Sequence, residues 1–176
     1  MRRRGVGSAL IFVVGLLALP VIFLVVAVIG WLPSDAVSQP PGWEVAIGEQ
    51  ALDSSLAARA KGLRNPIAAS DTAALLAGMK LFRDDCAGCH GSAHADSAWG
   101  ARNFYPRVPQ FWHVEEDDVP TAEDAFVAVR DGIRYSGMGA WRGMLSEKQM
   151  WQVANFVSRM QHLPPDVNRA WQAKEH

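Results

Sequence analysis

From Ser8 to Leu32 the chain runs for 25 residues without a charge, built mostly of Val, Leu, Ile, Ala and Phe. As a helix rising about 1.5 Å per residue, such a segment crosses a hydrocarbon core about 30 Å thick with some tilt. Pro20 lies mid-run, where a membrane helix tolerates it because neighbours or a local rearrangement re-satisfy the backbone. Arg2, Arg3 and Arg4 precede the run, so the positive-inside bias keeps residues 1–7 in the cytoplasm and places everything after Trp31 on the far side. Trp31 fits an interfacial anchor. A cleaved signal peptide is the competing reading, since Ala36-Val37-Ser38 is a small-x-small sequence. Signal cores are shorter, about 7 to 15 apolar residues, so a retained transmembrane helix over 8–32 is expected. Both readings export the remainder.

After this run the pattern changes. Residues 33–65, with Pro33, Pro40, Pro41 and Gly42 early and scattered charges later, read as a linker. A short helix over 48–60 has the composition but no sharp apolar stripe. Trp43 and Val45 are expected on the membrane surface or against the domain. Ser70 is the expected N-cap of a helix over 71–83, with Leu75, Leu76, Met79 and Phe82 on one face. A second helix is predicted over 121–130, with Ala125, Phe126 and Val129 as its stripe and Gly132 as its stop. Ser146 and Gln149 form a capping-box pattern for a third, running to about Met160 and burying Met150, Trp151, Ala154 and Val157. Leu163-Pro164-Pro165 ends it, leaving 164–176 as a C-terminal tail. No period-2 strand is visible, so residues 66–163 are expected to form an all-α domain. Three short helices with long loops bury little apolar surface for a stable domain, so something else should fill the centre.

Charge changes the picture only by exclusion. Of 17 basic residues three precede the apolar run, leaving 14 against 18 acidic residues in the exported part. Such a part has no basic stripe to neutralise phosphates, which argues against nucleic acid. Glu115 to Asp118 form an acidic run that reads as a solvated loop before it reads as a docking patch for a basic partner.

The two cysteines carry the chemistry. Cys86-Ala87-Gly88-Cys89-His90 has the C-x-x-C-H spacing of covalent c-type haem attachment. Each thiol can form a thioether to a vinyl group while the adjacent imidazole turns to the iron. A zinc site would need two more ligands from His94, His113, His162 or carboxylates, which show no half-site spacing. A thioredoxin-like pair belongs beside a βαβ pattern that is missing here, and a Cys86–Cys89 disulfide would close too small a loop to stabilise much. Methionine often takes the second axial position. Met79, Met150 and Met160 fall on helical faces and read as core. Met138 sits in Tyr135-Ser136-Gly137-Met138-Gly139-Ala140-Trp141, where two glycines allow close approach of the backbone to a cofactor. Met144 is its competitor, and His94 lies too near His90 in sequence to reach the opposite face.

These residues resemble class I mono-haem cytochromes c, especially bacterial cytochrome domains attached to oxidases and dehydrogenases. Gly78 and Phe82 look like the glycine and aromatic of that family's N-terminal helix, Cys86 to His90 like its attachment site, and Gly132 to Met138 like its axial-methionine loop. The helix with Trp151 and Phe156 resembles its C-terminal helix. The resemblance implies a cytochrome c fold, with the first and last helices crossing at the small glycine beside one covalent haem c and its iron. It implies His90 and Met138 as iron ligands, and a proline carbonyl, Pro106 or Pro109, accepting a hydrogen bond from His90. Trp141 is a candidate contact of a haem propionate. The expected function is one-electron transfer, with redox partner proteins in or near the same bacterial inner membrane and the haem domain on its periplasmic side. A cytochrome subunit of a larger oxidoreductase, or a haem domain that binds peroxide or gas at an open sixth position, are the alternatives.

Overall fold

A computed structural model of the chain describes residues 3–68 and 70–173. Met1 and Arg2 of the expected basic N-terminus, Ala69, and residues 174–176 of the expected tail lie outside the described residues. Among the described residues there are helices and loops and no β-strand, as the periodicity predicts. The chain divides into two units, residues 1–35 and 36–176.

The first unit is one helix, α1, over Arg3–Val28, with Pro20 inside it. Its stretch Ile11–Val28 is long and apolar enough to cross a membrane, and its apolar side chains are exposed. One helix of this kind fits a single-pass anchor.

The second unit is organised by a crossing of two helices, α3 (Thr72–Leu81) and α6 (Glu147–Ser158). At Gly78 the backbones meet so closely that an added Cβ would lie 2.0 Å from the Gln152 carbonyl oxygen and 3.1 Å from Phe156 Cβ. Asp71 caps α3, its Oδ1 accepting from the Ala74 N–H at 2.9 Å. The cap is therefore one residue later than Ser70, where a carboxylate also meets the positive end of the helix dipole. α3 ends at Leu81 and gives way to a π-helical turn over Phe82–Cys86, so the regular helix is shorter than the predicted 71–83. The capping box of α6 forms as predicted, with Ser146 and Gln149 exchanging bonds. α5 (Ala122–Asp131), capped by Thr121, lies along α6, and its Phe126 ring stacks on Trp151 at 3.9 Å and 8°.

Two segments join this core that the sequence pattern leaves outside it. The expected C-terminal tail forms α7 (Pro165–Gln172). Proline near the helix start loses no intrahelical bond, so Pro164-Pro165 ends one helix and also begins the next. Val167 and Trp171, four apart and on one face, are both buried, and Trp171 packs edge-on against Phe156 at 5.1 Å and Phe82 at 5.8 Å. Arg83 lies over the Trp171 ring and donates to the carbonyls of Ala170 and Trp171.

The expected linker is also largely built into the domain. α2 spans Gly42–Ala60, longer than the predicted 48–60, and packs on α5 with Ala60 buried. Beyond it, Asn65 and Asn155 exchange amide hydrogen bonds of 2.8 and 3.1 Å. Ahead of it, the Arg107 guanidinium donates to the carbonyls of Ala36, Val37 and Ser38 at 2.9 to 3.1 Å, and to those of Arg102 and Phe104. Tyr105 reaches α2 through a hydrogen bond to Glu44, whose carboxylate pushes the phenol above its usual range. These partners are distant in sequence, which is why no local periodicity reports them. Trp43 is exposed and Val45 half-buried.

Replacing Gly78 by alanine forces a backbone shift at the crossing. We expect G78A to lower the unfolding free energy by at least about 1–3 kcal/mol, read from denaturant titration of the haem-loaded protein. Arg107→Ala should free residues 36–38 without unfolding the core. Limited proteolysis is then expected to cut between 36 and 41 faster than in the wild type while the helical circular dichroism is kept.

Candidate haem site

The C-x-x-C-H residues occupy the end of the π-helical turn and one short turn of helix, α4 (Ala87–His90). Cys86 and Cys89 are free thiols, both half-buried. Burial, helped by the neighbouring Asp85 and Cys89, pushes the Cys86 thiol up to about 12. Gly91, at φ +81°, turns the chain out of α4. Its place is tight, since an added Cβ would meet the Gln110 side-chain oxygen at 2.8 Å.

His90 Nδ1 lies 3.0 Å from the Pro109 carbonyl oxygen. A carbonyl only accepts, so Nδ1 carries the proton and the lone pair sits on Nε2, the tautomer a metal ligand needs. Burial pulls the imidazole below its usual range, with the Pro109 bond opposing, which favours the neutral ring. The ring stacks on Phe111 at 4.9 Å and 16°. Of the two candidate prolines the acceptor is thus Pro109, and the assignment of Pro106 to this place does not hold. Gln110 explains the selection: its Nε2 donates to the carbonyls of Cys89 and Val108 at 3.0 Å each, which clamps residue 109 beside the motif. Pro106 lies three residues earlier, is exposed, and follows a cis peptide bond.

Gln110 is one of three residues in this frame that sequence reasoning missed. Its Oε1 accepts from the Ser97 N–H at 2.8 Å, and the Ser97 hydroxyl donates to the Gly88 carbonyl and accepts from the Gly100 N–H at 2.8 Å. Gly100 has no room for a side chain, because a Cβ would lie 2.0 Å from the Cys89 carbonyl oxygen. A glycine in a loop is a weak signal of such an approach, and nothing near Gln110 or Ser97 marks them in one sequence.

Met138 lies in the loop after α5. Gly132, at φ +68°, opens the loop, and the Ile133 N–H donates to the Met138 carbonyl at 3.0 Å. Gly137 gives its space to the Phe104 ring, whose Cε1 would be 2.4 Å from an added Cβ, while Gly139 has open space around it. Met138 is half-buried and packs on the same apolar cluster as Cys86, Ala87 and Phe111. Met144 is 74% exposed. Met79, Met150 and Met160 are buried in the core, as their spacing predicts. Trp141 packs on the cluster, its backbone N–H donating to the Val129 carbonyl at 3.0 Å. His94 turns away to the Gln172 carbonyl. Of the acidic run, Glu116 pairs with His162 at 3.3 Å at the surface.

The residues fit a covalent haem. Two unpaired thiols stand one helical turn apart beside an imidazole with a directed Nε2 lone pair, and a thioether joins the same cluster. The zinc reading finds no support in the fold, since no group of three His, Cys, Asp or Glu able to hold a metal ion occurs among the described residues.

An all-helical domain built on this turn defines a c-type cytochrome. Residues 73–157, from the first turn of α3 to the end of α6, match the family model described as cytochrome C oxidase, cbb3-type, subunit III. The chain therefore contains a c-type cytochrome domain, with haem c covalently bound and iron as its metal. No curated protein and no solved structure matches the chain.

Gln110→Ala removes the bonds that hold the Pro109 loop to Cys89 and leaves the Ser97 N–H without its acceptor. Such a loss costs about 1–3 kcal/mol, and we expect a drop of that size in the denaturant stability of the loaded protein.

Proposed function

We propose that this chain is a membrane-tethered one-electron carrier, anchored by residues 8–32 in a bacterial inner membrane with its haem domain on the periplasmic side. Cys86 and Cys89 form the two thioethers, and His90 Nε2 and Met138 sulfur are the axial ligands. The observation that carries this reading is the division of labour around His90. Pro109 occupies Nδ1 and leaves Nε2 for the iron, while Met138 packs on the cluster next to the motif and Met144 points to solvent. Haem supplies the one-electron couple. The protein's part is to hold both axial positions with its own side chains, which leaves no open position for oxygen or peroxide. Methionine as the second ligand raises the reduction potential relative to a second imidazole. Trp141 is proposed to lie against a propionate. The anchor confines the search for redox partners to one membrane, which raises their effective concentration.

A second reading, the cytochrome subunit of a larger membrane oxidoreductase, is favoured by the description of the family that residues 73–157 match, which names an oxidase subunit. The local chemistry is the same in both. Purification in mild detergent separates them, because a free carrier keeps no stoichiometric companion.

The ligand set is tested by spectroscopy. Wild type and Met144→Ala are expected to show a low-spin spectrum with the signature of methionine ligation and weak binding of carbon monoxide by the ferrous form. Met138→Ala is expected to lose that signature and bind carbon monoxide readily, while its haem stays attached in denaturing electrophoresis. A high-spin wild type that binds carbon monoxide readily would sink the carrier reading.

A further inference from the structure

The loop that carries Met138 leaves α5 at Asp131 and returns to the same place at Arg142. Its return is stitched to the last turn of α5 by Trp141 N–H to the Val129 carbonyl at 3.0 Å and Arg142 N–H to the Arg130 carbonyl at 3.3 Å. Gly132 lets the two ends approach, since an added Cβ there would lie 2.7 to 2.8 Å from backbone atoms of Met138, Gly139 and Ala140. At this root one carboxylate gathers three guanidinium groups from three parts of the chain. Asp131 Oδ1 accepts from Arg142 Nη2 at 2.6 Å and from Arg130 Nε at 3.0 Å. Its Oδ2 accepts from Arg130 Nη2 at 2.8 Å and meets Arg59 of α2 at 3.4 Å.

The Asp131 side chain is only 11% exposed, whereas Arg142 and Arg59 keep contact with water at 67% and 39%. An isolated surface pair holds little, but a shielded carboxylate shared by three cations is a network, in which Arg142 and Arg130 share Oδ1 while Arg59 meets only Oδ2. The hydrogen bond from Arg130, with the charges of Arg130, Arg142 and Arg59, holds the Asp131 carboxyl below its usual range, so it is ionised in the folded protein at neutral pH.

We propose that Asp131 is a positioning residue for the Met138 loop, acting through Arg142 to close the loop on the end of α5 and hold the methionine in place. Arg59 uses the other carboxylate oxygen to fasten α2 to the same root, a structural contact that does not enter the loop. This inference rests on Met138 being the sixth ligand. Opening the root should raise the fraction of molecules in which the methionine is away, and an added ligand then binds more tightly in proportion to that fraction.

The test uses the full haem-loaded protein in detergent, titrated with imidazole in the ferric state. Asp131→Asn and Arg142→Gln should each bind imidazole about tenfold more tightly than wild type and show a weakened methionine signature, and Arg142→Lys should restore part of the difference. Arg59→Gln should lower thermal stability while leaving imidazole affinity at the wild-type value. If D131N and R142Q lose thermal stability but bind imidazole as wild type does, Asp131 is a fold contact only and the proposal is overturned. Arg142→Gln keeps the question decidable should D131N fail to accumulate. If M138A binds imidazole no more tightly than wild type, the ligand assignment fails first and takes this inference with it.

Discussion

The cytochrome unit depends on the contact between two helix backbones at Gly78. Because no side chain separates α3 from the Gln152 carbonyl, the helices approach closely enough for Phe82 and Phe156 to meet, at 5.6 Å between ring centres. Those two rings, with Trp171 from α7, form an aromatic group whose edge lies next to His90 and Phe111. Close packing of this kind leaves little freedom for adjustment, so the π-helical turn that follows α3 delivers Cys86 to a defined position. The crossing is also the region covered by the family match, which runs from one of these helices to the other.

Around that rigid edge the site is held mostly by polar bonds. The loop from Gly91 to Phe111 has no regular structure, yet Ser97 and Gln110 tie it to the carbonyls of Gly88 and Cys89, the Gly100 N–H donates to the Ser97 hydroxyl, and the Pro109 carbonyl accepts from His90. A loop cannot bury its backbone without such partners, because an unpaired buried amide or carbonyl costs as much as a lost hydrogen bond. The Met138 loop follows the same principle with charge added: its ends meet at Gly132 and its return is bonded to Asp131 through Arg142. Apolar packing thus sets the frame and hydrogen bonds set the Pro109 and Met138 loops.

The segment between α1 and α3 is held in a related way. It is charged, proline-rich at its start and without a sharp stripe, the composition of a flexible connection. Arg107, Tyr105 and α5 nevertheless hold residues 36 to 60 on the cytochrome unit through backbone carbonyls, one phenol and one buried alanine. A segment docked in this way samples fewer conformations than a free coil of the same length.

Several features were legible in the sequence because their cause is local. The apolar run that forms α1, the apolar stripe and Gly132 stop of α5, the capping box of α6 and the C-x-x-C-H turn are each set by residues within a few positions of one another. The core methionines were legible from helical spacing, and Gly78 from the resemblance to class I cytochromes c. The exchange of Ser70 for Asp71 as cap, and the π-helical turn that shortens α3, show the limit of boundary reading, since neighbouring residues offer acceptors of similar strength. What only the tertiary structure decided are the partners separated by long stretches of chain: Pro109 rather than Pro106 at His90, burial of Met138 against exposure of Met144, α7 in place of a tail, and the docking of α2. In each case the residue types allow more than one partner, and the choice is made by loop closures and packing that bring distant segments together.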